Sequence, residues 1–159
     1  MDTQTLQKFD IFSGLSPRAL NGLAGIFVCS KVPDGSRIIV QNDFSDGVYL
    51  LLKGKVAILR ETKVGALVPI YEISEGGFFG TISTLDGGLR GAHCIARGEV
   101  ECGFLQKNDF IELTRSTSSL GLGFQVAVIR AIFSDIRRTN EQLAELSSLE
   151  PIEDLTPIS

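Results

Sequence analysis

The stretch from Phe78 to His93, FFGTISTLDGGLRGAH, contains four glycines and a single arginine, Arg90, among small or apolar neighbours. A glycine-rich backbone can present several N–H groups to one anion, because no side chain blocks a close approach. A short helical turn beginning near Gly80 would add its free N–H groups, and the arginine would add a bidentate guanidinium. The pattern predicts an anion site at Arg90; a solvated surface arginine is the simpler alternative.

Short apolar or alternating segments lie on both sides of this stretch and are separated by many of the chain's 17 glycines. Short segments at regular spacing, divided by turn residues, predict a sandwich or barrel of antiparallel strands. Tight hairpins are predicted at PDG (33–35) and at KGK (53–55), where Gly54 would supply the turn. A looser hairpin end is predicted at ETKVGA (61–66).

Helical patterns occupy the two ends of the chain. Ser16 followed by Pro17 is typical of an N-cap and a first helical position. The segment KNDFIEL predicts a second helix that Asn108 or Asp109 caps. A third and longest helix is predicted over about 120–149, because proline is absent from that segment until residue 151.

The last helix also carries a heptad pattern. Its first half is apolar almost all round, so we expect it to pack on the strands, whereas its second half is a charged helix with one narrow apolar stripe. A narrow stripe predicts a partner helix and therefore a homodimer; a helix that lies back on its own barrel is the alternative. The stripe consists of Ile129, Ile132, Ile136, Thr139, Leu143 and Leu146.

Composition limits the class of protein. The 159 residues and the hydrophobic content of 43% predict one domain over 1–149, followed by a disordered acidic tail over 150–159. A net charge of -4 argues against a nucleic-acid partner. No signal peptide and no membrane helix are expected, so the predicted location is cytoplasmic. Three widely spaced cysteines and one histidine predict reduced thiols and no metal site.

Two longer segments resemble one family. The segment GGFFGTISTLDGGLRGAH (76–93) resembles the phosphate-binding cassette of the cyclic-nucleotide-binding domain, and VPDGSRIIVQNDFSDGVYLLLKGKVAI (32–58) is similar to its first hairpins. The resemblance extends from about Leu6 to Leu149. It implies a mainly β fold, a double-stranded β-helix or jelly-roll barrel with an N-terminal helix and a long C-terminal helix. It also implies a non-catalytic regulatory module that senses cAMP or cGMP, without a cofactor, and possible protein partners.

The resemblance places Arg90 on the cyclic phosphate, and Arg90→Ala is expected to abolish stabilisation by nucleotide while leaving the fold intact. The sequence departs from the family at two positions. Thr81 stands where the family has a glutamate for the ribose hydroxyl, and Gly91 stands where Ser, Thr or Ala is usual. The ligand-binding residues implied are Gly80, Thr81, Ile82, Arg90, Gly91 and Ala92.

These departures leave alternatives open. The charged half of the site is retained, while the half that would hold the sugar is degraded. A domain of this fold that acts in protein interaction or dimerisation without nucleotide is therefore the main alternative. A different small anionic or apolar effector in the same pocket is a third possibility.

Overall fold

The computed structural model describes residues 1–147, so the predicted tail over 150–159 and the last two residues of the predicted domain lie outside it. Helices precede and follow the strands, and one short helix lies between the last two strands. The helices are α1 (Thr3–Gln7), α2 (Pro17–Ile26), α3 (Thr81–Asp86), α4 (Lys107–Arg115) and α5 (Ser119–Ser147), with a 3₁₀ turn at Asp10–Phe12.

The predicted start of α2 is confirmed. The Ser16 side chain accepts a hydrogen bond from the Ala19 amide at 3.2 Å, and Pro17 occupies the first helical position. Helix α4 begins earlier than the sequence suggested, since Gln106 is its N-cap and makes no side-chain capping bond. The predicted caps Asn108 and Asp109 are therefore wrong, because α4 follows directly from the preceding strand and leaves no loop for a cap.

The strands form one antiparallel sheet that wraps around a core. Along the sheet the order is β1-β6-β3-β4, with β2 also pairing with β6 and β5 with β3. The strands are β1 (Val28–Val32), β2 (Arg37–Ile39), β3 (Gly47–Glu61), β4 (Leu67–Ile73), β5 (Phe78–Phe79) and β6 (His93–Gln106). The predicted class, mainly β with flanking helices, is confirmed.

Two of the predicted hairpins are wrong. Residues 53–55 lie inside β3, where the register against β6 shifts and Gly54 adopts a φ of 92°. A Cβ at Gly54 would stand 2.8 Å from the Glu99 carbonyl oxygen, so glycine serves a bulge here instead of a turn. Residues 33–35 do form a turn, but the strands on either side both pair with β6 and not with each other.

The third hairpin prediction is confirmed. Glu61 pairs with Leu67 at the end of the β3–β4 ladder, and the Thr62 amide donates to the Ala66 carbonyl at 2.9 Å. Gly65 adopts a φ of 81°, which few other residues reach without strain.

The two long strands, β3 and β6, separate two apolar clusters. Alternate residues of a strand point to opposite faces, so Val48 and Leu50 face the helices while Leu51 faces the barrel interior. The register shift at 53–55 reverses this alternation, so Val56 also faces the barrel interior. The helix-side cluster includes Phe78, Phe110 and other buried residues of α2, α4 and α5. The helices are therefore attached to the barrel by one continuous core.

The first half of α5 belongs to that core, as the sequence predicted. Phe124 and Ala127 are fully buried, and Phe124 makes edge contacts with Phe78 and Phe110 at centroid distances of 6.1 and 5.7 Å. Arg130 donates hydrogen bonds to the 3₁₀ turn and to the Ser13 hydroxyl. This half of the helix is fixed relative to the barrel.

The second half of α5 contacts the barrel through polar groups. Arg138 donates to the Glu72 carbonyl oxygen at 2.8 Å, and its guanidinium lies 3.8 Å from the Asp135 carboxylate. Two members of the predicted stripe, Ile132 and Thr139, are half-buried on this inner side. The stripe drawn from the sequence is therefore not wholly on the free face of the helix.

Helix α5 is also long and apolar enough, by length and composition, to cross a membrane, with a mean hydropathy of 1.4 over its most apolar window. Those two criteria do not separate a membrane span from a helix that packs in a protein core. One face of α5 packs in the core of this chain. The expectation of no membrane partner stays a prediction.

We expect Asp135 to make folding less favourable at neutral pH. Burial raises the pKa of this carboxyl from 3.8 to about 6, although Arg138 lowers it. The native state then holds the proton more tightly than the unfolded chain, so this contribution to stability increases as the pH falls from about 7 towards 4. Asp135→Asn should gain roughly 1–2 kcal/mol at pH 7.5, after allowance for solvent around the partly exposed group.

Thermal unfolding at pH 5 and pH 7.5 measures this effect. The gain from Asp135→Asn should be largest at pH 7.5 and should shrink at pH 5. Glu141→Gln is the matched control, because Glu141 is an exposed carboxylate on the same helix. A gain of equal size at both pH values would contradict the assignment to Asp135.

Candidate functional site

The candidate site is built around α3, which two glycines in left-handed conformation delimit. Gly80 precedes the helix with a φ of 80°, and Gly87 follows it with a φ of 74°. A Cβ on Gly80 would stand 2.5 Å from Arg90 Nη1, so glycine is needed here for both conformation and space. No side chain caps the first turn of α3.

Arg90 is buried, with 4% of its surface exposed, so the alternative of a solvated surface arginine is wrong. Its Nη1 donates to the Gly80 carbonyl at 2.8 Å and to the Ser83 hydroxyl at 3.1 Å. Its Nη2 donates to the Asp46 carboxylate and to the Gly47 carbonyl, both at 2.7 Å. The guanidinium thus joins α3 to the start of β3.

A group of hydroxyls strengthens the same junction. Thr84 Oγ1 lies 2.7 Å from the Gly80 carbonyl oxygen and 2.9 Å from that of Gly47. The Ser45 hydroxyl lies 2.6 Å from Thr84 Oγ1, and both side chains are buried. The carbonyls of Gly80 and Gly47 therefore each accept from Arg90 while Thr84 lies within hydrogen-bond distance of both.

The structure brings some of the predicted ligand-binding residues together and separates others. Gly80 touches the Arg90 guanidinium, and Thr81 is buried at the start of α3. Ile82 is 76% exposed on the outer face of α3. Gly91 is exposed with open space where a Cβ would stand, whereas Ala92 packs against the barrel cluster.

The sequence patterns did not indicate three residues that contact Arg90 or its carbonyl partners, Asp46, Ser83 and Thr84. They also did not indicate Ser45, which contacts Thr84. Asp46 is 44 positions from Arg90, so no local spacing connects them. Only the chemistry of the residues could have indicated Asp46 from the sequence. A guanidinium among apolar neighbours needs acceptors, and a carboxylate before a strand is one candidate.

The cysteines and the histidine form no second site. Burial raises the pKa values of the Cys94 and Cys102 thiols to about 12, so these thiols remain protonated and unreactive. Cys29 is an exposed free thiol. His93 is buried and accepts from the Gln41 amide at 3.1 Å. Among residues 1–147, no group of three His, Cys, Asp or Glu side chains could hold a metal ion.

A comparison with known protein families shows which family has this arrangement. The model of the cyclic nucleotide-binding domain matches residues 29–117, which is more than half of the chain. The chain belongs to the cyclic nucleotide-binding domain family. The match includes the whole of α3, Arg90 and the strands β1 to β6 apart from Val28.

Individual relatives agree with the family. The chain is 30% identical to the cyclic AMP receptor protein of Thermus thermophilus over 105 residues, which is 66% of this chain and 49% of that protein. It is 24% identical over 143 residues to a CRP-like cAMP-activated global transcriptional regulator of Mycobacterium tuberculosis, covering 90% of this chain and 62% of that one. The chain thus spans about half to three fifths of these relatives.

A solved structure shows the same fold. The crystal structure of a cyclic nucleotide-binding domain from Methylobacillus flagellatus superposes with a TM-score of 0.78 at 18% identity, covering 97% of this chain and 84% of that one. The predicted jelly-roll barrel with an N-terminal helix and a long C-terminal helix is therefore confirmed. The expectation of no nucleic-acid partner conflicts with a relative that is named a transcriptional regulator, so the family gives that expectation no support.

Proposed function

We propose that this protein is a non-catalytic regulatory module of the cytoplasm that binds a cyclic nucleotide, cAMP or cGMP, and signals through α5. The observation that supports the proposal is the geometry at Arg90. A guanidinium is held behind the first turn of a short helix, where uncapped N–H groups and the positive end of the peptide dipoles meet. Gly80, Thr81, Ile82, Gly91 and Ala92 would complete the contacts.

A packed route leads from this site to α5. Gly80 directly follows Phe79 and Phe78, and the Phe78 ring contacts Phe124 of α5 edge to face. If α3 moves when the ligand binds, Phe78 would move with it. The contact between Phe78 and Phe124, which holds α5 on the barrel, would then change. If α5 has two positions on the barrel, the ligand can shift the equilibrium between them only by the difference between its affinities for the two forms of the protein.

Calorimetric titration with cAMP and with cGMP tests the binding step. We expect saturable binding of at least one of them, with a heat that disappears in a titration with the matching 5′-monophosphate as control. Absence of heat with both cyclic nucleotides, together with no rise in melting temperature, would reject the sensor function.

Thr81→Glu is expected to strengthen binding by roughly ten- to a hundred-fold. A carboxylate at this position would accept a hydrogen bond from the ribose hydroxyl, and a hydrogen bond to a charged group contributes about 1.5–3 kcal/mol. Leu85 is half exposed on the same helix and is not one of the predicted ligand-binding residues, so Leu85→Glu adds the same charge to α3 outside the site and serves as the control. Titration of both variants with cAMP and cGMP gives the two affinities.

The alternative function is a protein-interaction module that binds no nucleotide. Two observations favour it: four N–H donors of Arg90 already have acceptors within the chain, and large apolar side chains are exposed beside the site. If Thr81→Glu still binds neither nucleotide, this alternative is preferred. The exposed apolar residues are Phe44, Ile82, Leu85 and Leu89.

We also infer that the protein forms a homodimer through α5, as the heptad pattern predicts. The charged residues beside the apolar positions carry both signs, so two such helices need not repel each other. Light scattering on the chain at tens of micromolar measures the mass. A monomer at that concentration would exclude the homodimer.

A further inference from the structure

His93 is a buried titratable side chain that the contacts at the candidate site leave unused. It begins β6, three positions after Arg90, and 2% of its surface is exposed. It is also the single histidine of the chain. Its Nδ1 lies 3.1 Å from the backbone nitrogen of Gln41, and its Nε2 lies 3.4 Å from the Glu61 carboxylate. Both ring nitrogens therefore have partners.

The partner of Nδ1 determines the tautomer of the ring. A backbone N–H can only donate, so Nδ1 must offer a lone pair, and the proton of the neutral imidazole lies on Nε2. There it faces the half-exposed Glu61 carboxylate, whereas Gln41 is uncharged. An imidazolium carries protons on both nitrogens. It could keep its contact with Glu61 but could not accept the N–H of Gln41.

Gln41 belongs to a tight turn between β2 and β3, which consists of residues 40–43. The Asp43 amide donates to the Val40 carbonyl at 3.3 Å, and Asn42 adopts a φ of 70°, which asparagine tolerates better than most residues. The Gln41 side chain accepts from the amide of Glu61 at 2.8 Å and donates to its carbonyl at 3.2 Å. The turn is thus attached to β3 by a side chain and to β6 by a backbone amide.

The same turn positions Arg90. The Asn42 amide donates to the Arg90 carbonyl at 2.8 Å, and the Arg90 amide donates to the Asp43 carbonyl at 2.9 Å. The bond from Gln41 to His93 joins the same two segments at 3.1 Å. These hydrogen bonds fix the backbone from which the guanidinium reaches α3.

We propose that His93 is a positioning residue for Arg90 and makes that positioning depend on pH, because neutral His93 holds the turn at 40–43 and protonated His93 releases it. Release gives the Arg90 backbone more conformational freedom, which nucleotide binding then has to remove, so the affinity falls. The effect on affinity rests on the proposed function, whereas the effect on the turn does not. Free histidine titrates at about pH 6.5, so measurements at pH 7.5 and pH 5.5 lie on either side.

Nuclear magnetic resonance of the ligand-free protein tests the release of the turn. Because the chain has one histidine, its imidazole gives a single set of signals. We expect the Gln41 amide to lose its protection against hydrogen exchange, relative to an unstructured amide at the same pH, with the same midpoint as the imidazole signals. Protection that stays constant while the imidazole titrates would overturn the proposal, and so would an imidazole that stays neutral at pH 5.5.

Calorimetric titration with cAMP and with cGMP at both pH values tests the effect on the site. The affinity of the wild-type protein should fall by roughly two- to tenfold from pH 7.5 to pH 5.5, as for the loss of one hydrogen bond. His93→Phe fills the space without an acceptor, so at both pH values it should bind as weakly as the wild-type protein at pH 5.5. His93→Asn offers an amide oxygen that does not titrate, so it should recover most of the affinity and lose the pH dependence.

Asp135→Asn is the control for a second group that titrates in the same range. Burial raises the pKa of the Asp135 carboxyl to about 6, but this residue lies on α5 and faces Arg138. The variant should therefore keep the pH dependence of the affinity. If the dependence disappears in Asp135→Asn and remains in His93→Asn, the effect belongs to α5 and the proposal is wrong.

The two measurements separate this proposal from the sensor function. Absence of nucleotide binding at pH 7.5, with a Gln41 amide that still follows the imidazole, would reject the sensor function and leave the positioning of Arg90 by His93 in place. Saturable binding with the same affinity at both pH values would keep the sensor function and overturn the proposal.

Discussion

Arg90→Ala is expected to abolish stabilisation by cyclic nucleotide and, in addition, to lower the melting temperature of the ligand-free protein. The substitution leaves the carbonyl oxygens of Gly47 and Gly80 without their charged donor. Each buried acceptor that loses its partner costs about 1–3 kcal/mol. Asp46 is 65% exposed on its side chain, so water can solvate its carboxylate, and we assign no further cost to it.

The total cost for the two acceptors is then about 2–6 kcal/mol, which corresponds to a decrease in melting temperature of roughly 4–24 °C for a chain of this size. The structure therefore adds a loss of stability to the expectation from the sequence that Arg90→Ala leaves the fold intact. The sequence could not show that the guanidinium also joins α3 to β3.

Two variants control this experiment. Arg90→Lys keeps the charge but lacks the planar fork, so it should retain part of the stability and lose most of the affinity for the nucleotide. Arg97→Ala removes an exposed arginine from β6, the strand that follows Arg90, and should change neither property. If nucleotide still raises the melting temperature of Arg90→Ala, Arg90 does not bind the phosphate.

Phe124→Ala is expected to destabilise the protein by about 3–5 kcal/mol, the usual cost of removing a fully buried phenylalanine. Phe124 contacts Phe78, which precedes the site, and Phe110, which lies on α4. Its removal creates a cavity between α5, β5 and α4. Chemical denaturation at fixed protein concentration gives the free energy of unfolding.

Phe133→Ala is the matched control, because it changes the same residue type on the same helix at a position that is 58% exposed. Because the Phe133 side chain is not part of the core, this variant should leave the free energy of unfolding almost unchanged. Equal losses in both variants at every protein concentration would contradict the division of α5 into an inner and an outer face.

Local patterns predicted much of the fold, because they record interactions between residues close in the chain. Ser16 and Pro17 identified the start of α2, since a cap needs only its own first turn. The turn at 61–66 was predictable for the same reason. Gly54 was misassigned because a glycine at positive φ serves a bulge as well as a turn, and only pairing with β6 distinguishes the two.

The candidate site was predicted in part. Glycines, a short helical segment and an arginine within sixteen residues were enough to indicate Arg90 and Gly80. The partners Asp46 and Gly47 come from the start of another strand, and the pairing of β3 with β5 and the bridge between Phe44 and Leu89 bring them to the arginine. The spacing of residues in the sequence does not show such contacts, because they join residues that are far apart in the chain.

The sequence by itself determined the family, the barrel of short strands and a long amphipathic C-terminal helix with an apolar heptad repeat. Only the tertiary structure decided which face of that helix is free. Apolar residues occur all round the first half of α5, so its periodicity is compatible with more than one apolar stripe. A stripe through Ile132 and a stripe through Phe133 fit the sequence equally well. Packing against the barrel covers Phe124, Ala127 and Ala131 and leaves Phe133 and Asn140 exposed. Burial depends on what lies opposite a residue in space, and that is set by the whole fold.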